Sequence, residues 1–161
     1  MLSGDLLVVT AELAVAIAGF SSVVVALDSR AVGDWSAARR YNLRVLLQIS
    51  ALTVFFALLA LFLERATESG AFWKWALGAY GVVHLIDAGS FIRRQPADIP
   101  MVNRLGPYFG VIVAVCQFLV AVLAGLGAAE TVYLASLIFH LGGASMGFGI
   151  LIFGRSDAGS T

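Results

Sequence analysis

Residues 80–95 read YGVVHLIDAGSFIRRQ, an apolar run that contains one histidine and one aspartate and ends at two arginines. This run decides the fold, because it is the least apolar of the segments that are long enough to cross a bilayer. An ionisable side chain at membrane depth costs several kcal/mol unless it is paired or hydrated. If the run is a transmembrane helix, His84 and Asp87 must therefore face the interior of a helix bundle.

The composition places the chain in a membrane. Of its 161 residues, 60% are hydrophobic and 12% are charged, and the mean hydropathy is +0.94. Water-soluble domains are only about half apolar. Ten basic residues balance ten acidic residues, so no excess of positive charge indicates binding to nucleic acid. No lysine or arginine precedes the first apolar run, so we expect this run to remain in the mature protein rather than act as a cleaved signal.

Five segments are long enough to cross a bilayer core, which is about 30 Å thick and takes roughly 20 helical residues. The fourth and fifth are separated only by the sequence GLGAAE, but one helix of about 48 residues would be twice as long as a membrane is wide. The sequence therefore predicts an all-α protein with a single transmembrane domain, and Asp34 or Ser36 is the predicted N-cap of its second helix. The five helices are predicted at about residues 6–27, 43–63, 71–92, 106–128 and 131–153.

The arginines give the bundle a direction, because short loops rich in arginine and lysine stay in the cytoplasm. With five spans, one side carries only Arg65 and Lys74, and the other carries Arg30, Arg39, Arg40, Arg44, Arg93, Arg94, Arg104 and Arg155. A four-helix alternative without the third segment would divide the two arginine-rich loops between the two sides. We therefore expect five spans in the cell inner membrane, with the N terminus outside and the C terminus in the cytoplasm.

Small side chains, which allow helix backbones to approach closely, predict where the helices pack. Ala14, Ala18 and Ser22 recur at four-residue spacing on the first helix, and Gly143 and Gly147 form a GxxxG pair on the fifth. Both helices are predicted to be tightly enclosed. The second helix, which is bulky on all sides, is predicted to face lipid.

Aromatic side chains cluster at both predicted membrane boundaries. The outer cluster is Phe72, Trp73, Trp75 and Tyr133, and the inner cluster is Trp35, Tyr41, Tyr108 and Phe109. Because tryptophan and tyrosine are enriched where lipid meets water, we expect these residues to anchor the helices at the interfaces.

Six polar side chains at membrane depth form a candidate path for an ion or a proton. From the outer side inwards they are Glu12, His140, Gln117, His84, Asp87 and Gln48. His84 and Asp87 are three residues apart and share a helix face, and histidine changes charge most readily near neutral pH. The alternative is a structural role, in which His84 and Asp87 form a hydrogen-bonded pair, with Gln48 or a nearby cytoplasmic arginine as a further partner, and lock the third helix against its neighbours.

Two alternatives concern the histidines and Glu12. His84 and His140 lie on different helices at similar depth, which suits ligation of a haem b iron by two imidazoles. Apart from this alternative, no cofactor and no metal site is predicted. Glu12 would form a cation-attracting ring if copies of the first helix surrounded an axis, or it would pair with Lys74 or His140 within one chain.

Three functions remain open, and none of them is enzymatic. The sequence contains no Walker loop, GxSxG or HExxH motif and no cysteine cluster, and its extramembrane segments are too short for a catalytic domain. The leading hypothesis is a homo-oligomer that conducts an ion or a proton along the six-residue path. The second is a redox subunit that binds haem. The third is an accessory or assembly subunit whose arginine-rich cytoplasmic loops bind a partner membrane protein.

The chain also resembles known proteins in three stretches: ELAVAIAGFSSVVVAL, DWSAARRYNLRVLLQISALTVFFALLAL and YLASLIFHLGGASMGFGILIF. They are similar to those of small uncharacterised bacterial inner-membrane proteins, a resemblance that implies location without activity. The step from Gly19 to Phe20, amid alternating valine and alanine, is similar to the first helix of Orai calcium channels. That family has four spans and an internal N terminus, and Glu12 precedes the Gly-Phe step instead of following it, so no residue role is carried over.

The predicted direction can be tested with single cysteines near the two ends, Ser3→Cys and Ser160→Cys, each in a Cys116→Ala background. In intact spheroplasts, we expect a membrane-impermeant maleimide to label the Ser3→Cys variant only, and lysis to add labelling of the Ser160→Cys variant. Equal labelling of both variants before lysis would place both ends on the same side, and the number of spans would then be even.

Overall fold

The computed structural model describes residues 2–28, 32–67, 69–97, 99 and 101–153. Within them the chain forms five long helices, each long and apolar enough to cross a bilayer, so the predicted all-α fold with five helices of membrane-spanning length is confirmed. A single turn of 3-10 helix, Val32–Asp34, lies between the first two. The helices are α1 (Leu2–Ala26), α2 (Ala37–Ala66), α3 (Phe72–Arg93), α4 (Met101–Leu123) and α5 (Leu126–Phe153).

Helix α3, the least apolar span, is the most enclosed of the five. In its most apolar stretch 44% of the residues are buried, against 22–33% in the other spans. Its ionisable residues His84 and Asp87 are only 3% and 6% exposed. The low hydropathy of α3 is therefore accommodated because the other helices shield its polar groups from lipid.

Several helix ends differ from the sequence-based bounds, whereas Ser36, one of the two predicted N-caps of α2, is confirmed. Helix α4 begins at Met101 and includes Pro107, where a start near residue 106 was expected. A proline inside a helix removes only one backbone hydrogen bond, and flanking turns maintain the helix. Helix α5 begins at Leu126, inside the segment expected to be a turn. For α2 the N-cap is Ser36, whose hydroxyl accepts a hydrogen bond from the amide of Arg39.

The contact face of α1 differs from the predicted small-residue stripe. Ala14 is fully buried and Ala18 is half-buried, but Ser22 is exposed. At 3.6 residues per turn, each step of four residues rotates by about 40°, so such a stripe leaves the contact face after two steps. A seven-residue spacing stays within about 20°, and Leu7, Ala14 and Ser21 are accordingly all 0% exposed.

The GxxxG pair on α5 packs against α2 of the same chain. A Cβ added at Gly147 would lie 3.3 Å from Leu46 Cβ, and one added at Gly143 would lie 3.8 Å from Ile49 Cδ1. The expectation that α2 faces lipid therefore holds for only part of its surface, where Phe55, Leu58 and Phe62 are exposed. Leu46 is buried beside Gly147 of α5, and Phe56 is buried against Tyr80.

Two arginines in the first turn of α2 contact the segment that connects α1 to α2. The guanidinium of Arg39 lies 2.7 Å from the Asp28 carboxylate and 3.8 Å from the centre of the Trp35 ring. Arg40 donates hydrogen bonds to the carbonyls of Gly33 and Trp35. Trp35 is 3% exposed and serves as the support of this loop rather than as a lipid anchor.

The remaining arginines of the predicted inner side differ in role. Arg104 donates to the carbonyl of Ala97 at 2.6 Å and so ties α4 to the preceding loop. Arg44, Arg93 and Arg94 are exposed at the same end of the bundle. Two members of the predicted group, Arg30 and Arg155, lie outside the described residues.

The closest helix approach that depends on a glycine joins α3 to α4 at Gly81. A Cβ at this position would lie 3.1 Å from the Ala114 carbonyl oxygen and 3.2 Å from Gln117 Cβ. Real Cβ atoms rarely come so near to backbone, so α4 would have to move. Gly89, two turns further along α3, has open space around it.

Substitution at these two glycines tests the approach. Gly81→Ala is expected to destabilise the fold by about 1–3 kcal/mol through overpacking. The matched control Gly89→Ala is expected to be neutral or stabilising, since alanine favours a helix over glycine. Thermal unfolding in mild detergent measures both variants, and equal midpoints would contradict the close approach.

Candidate intramembrane site

Five of the six predicted path residues meet inside the bundle. His84 and Asp87 come from α3, His140 from α5, Gln48 from α2 and Gln117 from α4. Contacts join them in two groups: Gln48 is hydrogen-bonded to Asp87, and His84 is hydrogen-bonded to Gln117 and in ring contact with His140. His84, Asp87 and His140 line the same cavity. Four helices therefore contribute to one buried cluster.

The orientation of His84 is set by α4. Its Nδ1 lies 3.1 Å from Gln117 Oε1, and because an amide oxygen can only accept, Nδ1 carries the hydrogen. In the neutral ring Nε2 is then an acceptor. Gly110 leaves space for this nitrogen, since a Cβ there would lie 3.2 Å from it.

The orientation of His140 is set by α5 itself and by α3. Its Nδ1 lies 3.0 Å from the Ser136 carbonyl oxygen and 2.6 Å from the Tyr80 hydroxyl. A carbonyl can only accept, so Nδ1 is again the protonated nitrogen and Nε2 is an acceptor in the neutral ring. The ring centres of His140 and His84 are 4.1 Å apart at an angle of 60°.

The partner of Asp87 is Gln48, whose amide nitrogen donates to Asp87 Oδ1. The direct hydrogen bond between His84 and Asp87 that their spacing suggested is absent among the described residues, because His84 Nδ1 is directed to Gln117. Asp87 Oδ2 has no hydrogen-bond partner in the described parts of the chain and is not fully buried. One carboxylate oxygen therefore remains available.

A cavity of about 140 Å³ lies beside this cluster. Its inner end, meaning the end that lies deepest in the bundle, is formed by His84, Asp87 and His140. From there the cavity extends toward the end of the bundle where α2 and α4 begin. Glycines on two helices provide the space, namely Gly106, Gly110, Gly143 and Gly147. Its walls are otherwise largely apolar, with Val45, Ile49, Phe91, Phe139, Met146 and Ile150, and polar Asn42 and Asn103 lie near those helix starts.

Aromatic rings fill the bundle on the other side of the histidines. Phe56 stacks on Tyr80 at 4.2 Å, and Tyr133 contacts both Tyr80 and Trp73 at 5.5 Å. The Tyr133 hydroxyl donates to the Phe56 carbonyl at 2.6 Å. Trp73 and Tyr133 are therefore core residues, and their predicted role as lipid anchors is wrong.

Three other predicted anchors have different outcomes. Tyr41 is buried, and its hydroxyl donates to the Phe91 carbonyl at 3.2 Å. Trp75 is 81% exposed, and Tyr108 is 50% exposed. Their positions on the outer surface of the bundle are compatible with lipid contact.

Glu12 does not join the cluster. It lies on the exposed face of α1, and within the described ranges it forms no hydrogen bond or ion pair, so neither Lys74 nor His140 is its partner. Its depth follows from counting residues along the helix, but its direction around the helix does not. Conversely, Tyr80 and Ser136 were missed. Ser136 lies one helical turn before His140, where its carbonyl reaches the imidazole, whereas Tyr80 reaches His140 from another helix, a contact that no local spacing indicates.

The two imidazoles do not fit the haem alternative. Bis-histidine ligation places the iron and its macrocycle between the two rings. The ring centres are 4.1 Å apart, which is already at the contact limit of stacked rings, about 4.5 Å. In addition, no group of three or more His, Cys, Asp or Glu among the described residues is arranged to hold a metal ion.

Comparison with protein-family models, with curated proteins and with solved structures found no match to this chain. The fold and the site define the class of the protein: a multi-pass membrane protein with five helices and a polar cluster beside an internal cavity. Function must be inferred from this site.

The assigned tautomers can be measured directly, since the chain contains only two histidines. With ¹⁵N-labelled histidine above about pH 8, where unperturbed imidazole is neutral, we expect both residues to carry hydrogen on Nδ1. Gln117→Leu removes the acceptor of His84 and is expected to shift that residue alone toward the Nε2–H form, with His140 as the internal control. An unchanged His84 signal would show that Gln117 does not orient it.

Proposed function

We propose that this protein is a bacterial inner-membrane transport protein that moves protons or small cations through the bundle of α2 to α5. The N terminus lies outside, and the arginine-bearing end faces the cytoplasm. The observation that carries this proposal is the position of two imidazoles and one carboxylate at the inner end of a cavity. Ionisable groups are expensive at membrane depth and commonly mark an ion or proton pathway.

The cavity provides access from one side only. Water or a cation entering between the starts of α2 and α4 reaches Asp87, His84 and His140. Beyond them the packed rings of Phe56, Tyr80 and Tyr133 form a barrier. The Tyr80 hydroxyl, 2.6 Å from His140 Nδ1, is the next group that can exchange a proton on the far side.

The barrier also determines what kind of transport is possible. An open channel needs a continuous polar path, whereas here the aromatic core interrupts it. We therefore propose stepwise transfer, in which the histidines take up a proton or cation from the cavity and the bundle rearranges before release. Helix α5, with glycines at 142, 143, 147 and 149, is the element that can shift against α2 most easily.

Self-association is a second part of the proposal. Glu12 is exposed on an apolar helix surface, where an isolated carboxylate in contact with lipid is costly. A second copy of the chain packed on this face of α1 would remove Glu12 from lipid. In this arrangement each chain retains its own cavity, and Glu12 lies at the interface rather than in the path.

The accessory-subunit hypothesis rests on a different surface. Arg44, Arg93 and Arg94 are exposed, so their charges can bind a partner or anionic lipid headgroups. Arg39 and Arg104 are occupied within the chain. Arg44 also interacts electrostatically with the cavity residue Asp87, so this surface and the cavity are not independent.

Proton uptake into liposomes tests the proposed path. Purified protein is reconstituted with an internal pH dye, and a potassium diffusion potential drives proton entry. Asp87→Asn is expected to reduce the rate by about tenfold or more, as for loss of a proton-transfer group.

The matched control is Glu12→Gln, the same acid-to-amide change on α1, outside the proposed path. It is expected to leave the rate unchanged. Wild-type proton flux at the level of empty liposomes would reject proton transport. Loss of flux in the Glu12→Gln variant alone would instead place the path on an axis between chains.

A further inference from the structure

The inner end of the cavity offers hydrogen-bond acceptors only. His84 and His140 each use Nδ1 to donate to a group outside the lining, which leaves Nε2 of each ring as the acceptor. Asp87 has Oδ2 free of described hydrogen bonds. The Gln48 amide that could have supplied a donor is already bound to Oδ1. A molecule bound here must therefore provide the donors.

Charge and size narrow the class of ligand. A carboxylate within an apolar bundle favours a cation, and hydrogen bonds between charged partners are about twice as strong as neutral ones. The cavity of about 140 Å³ is close to the size of an apolar cavity that holds one benzene molecule, about 150 Å³.

The walls suit the body of an organic cation. Phe91 and Phe139 line the space between the polar end and the helix starts, together with Ile49 and Met146. Aromatic faces attract ammonium groups, and the aliphatic side chains favour an apolar body by excluding water. The acceptors thus select for an ammonium group at one end of the ligand, and the walls select for an apolar body at the other end.

We propose that this cavity binds a protonated primary amine with an apolar body about the size of one ring. The ammonium group donates to Asp87 Oδ2 and to the Nε2 atoms of His84 and His140. The inference rests on the proposed transport function and specifies its substrate class: an organic ammonium ion.

Calorimetric titration of the wild-type protein in mild detergent, against matched protein-free micelles, tests this proposal with three probes that share a benzyl group. Benzylammonium has the charge and three N–H donors, benzyl alcohol lacks the charge, and benzyltrimethylammonium lacks the donors. We expect saturable binding of benzylammonium, and at least tenfold weaker binding of each of the other two. Similar affinity for all three probes would overturn the proposal, because it would indicate apolar partitioning only.

Two variants locate the site. Asp87→Asn is expected to weaken benzylammonium binding at least tenfold, whereas Glu12→Gln is expected to leave it unchanged. Equal binding by wild type and the Asp87→Asn variant would place the ammonium elsewhere and contradict the assignment. The comparison of probes on the wild-type protein remains decisive if the Asp87→Asn variant does not fold.

The outcome can be separated from that of the transport proposal. Proton flux without benzylammonium binding would reject the substrate class and retain the path. Benzylammonium binding without any flux of protons or of the amine would retain the site and reject transport.

Discussion

The contact between α3 and α4 at Gly81 is the constraint on which the polar cluster depends. Because Gly81 has no side chain, its backbone comes within van der Waals contact of Ala114 and Gln117. This brings the Gln117 amide within hydrogen-bond distance of His84, one turn along α3. On the same pair of helices, Gly110 leaves room for the other side of the His84 ring. In lipid, where apolar burial does not drive helix association, such close packing and buried hydrogen bonds supply much of the attraction between helices.

The interior of the bundle is divided, at the level of the histidines along the helix axes, into two halves that are lined by different kinds of side chain. On one side of the histidines, glycines at 106, 110, 143 and 147 leave a cavity beside Asp87. On the other side, the rings of Phe56, Tyr80 and Tyr133 fill the same interior. Tyr80 and Tyr133 can lie so deep because their hydroxyls find partners in His140 and the Phe56 carbonyl. The interior therefore holds a cavity on one side of the histidines and packed aromatic rings on the other.

Sequence patterns predicted well at which level along its helix each polar residue lies, but predicted poorly toward which neighbour its side chain points. Length and hydropathy located all five spans, and rise per residue placed His84, Asp87, His140, Gln48 and Gln117 at compatible levels, where the structure joins them. Depth requires only a count of residues along a helix. Direction depends on which face each neighbour covers, and this is a property of the assembled bundle. Glu12 therefore had a predictable depth but points outward, and the stripe that ends at Ser22 leaves the contact face of α1 because of its four-residue spacing.

Structural and functional roles of the histidines are not alternatives in this protein. The hydrogen bond from His84 to Gln117 joins α3 to α4, and the contact of His140 with Tyr80 joins α5 to α3. Both use Nδ1, so the interactions that hold the bundle together also determine which nitrogen is left for a ligand. A neutral imidazole that is fixed in this way presents an acceptor without any further catalytic or binding machinery. With Asp87 Oδ2 free of described hydrogen bonds on the same helix as His84, the two packing contacts are what the proposed acceptor-only binding end requires.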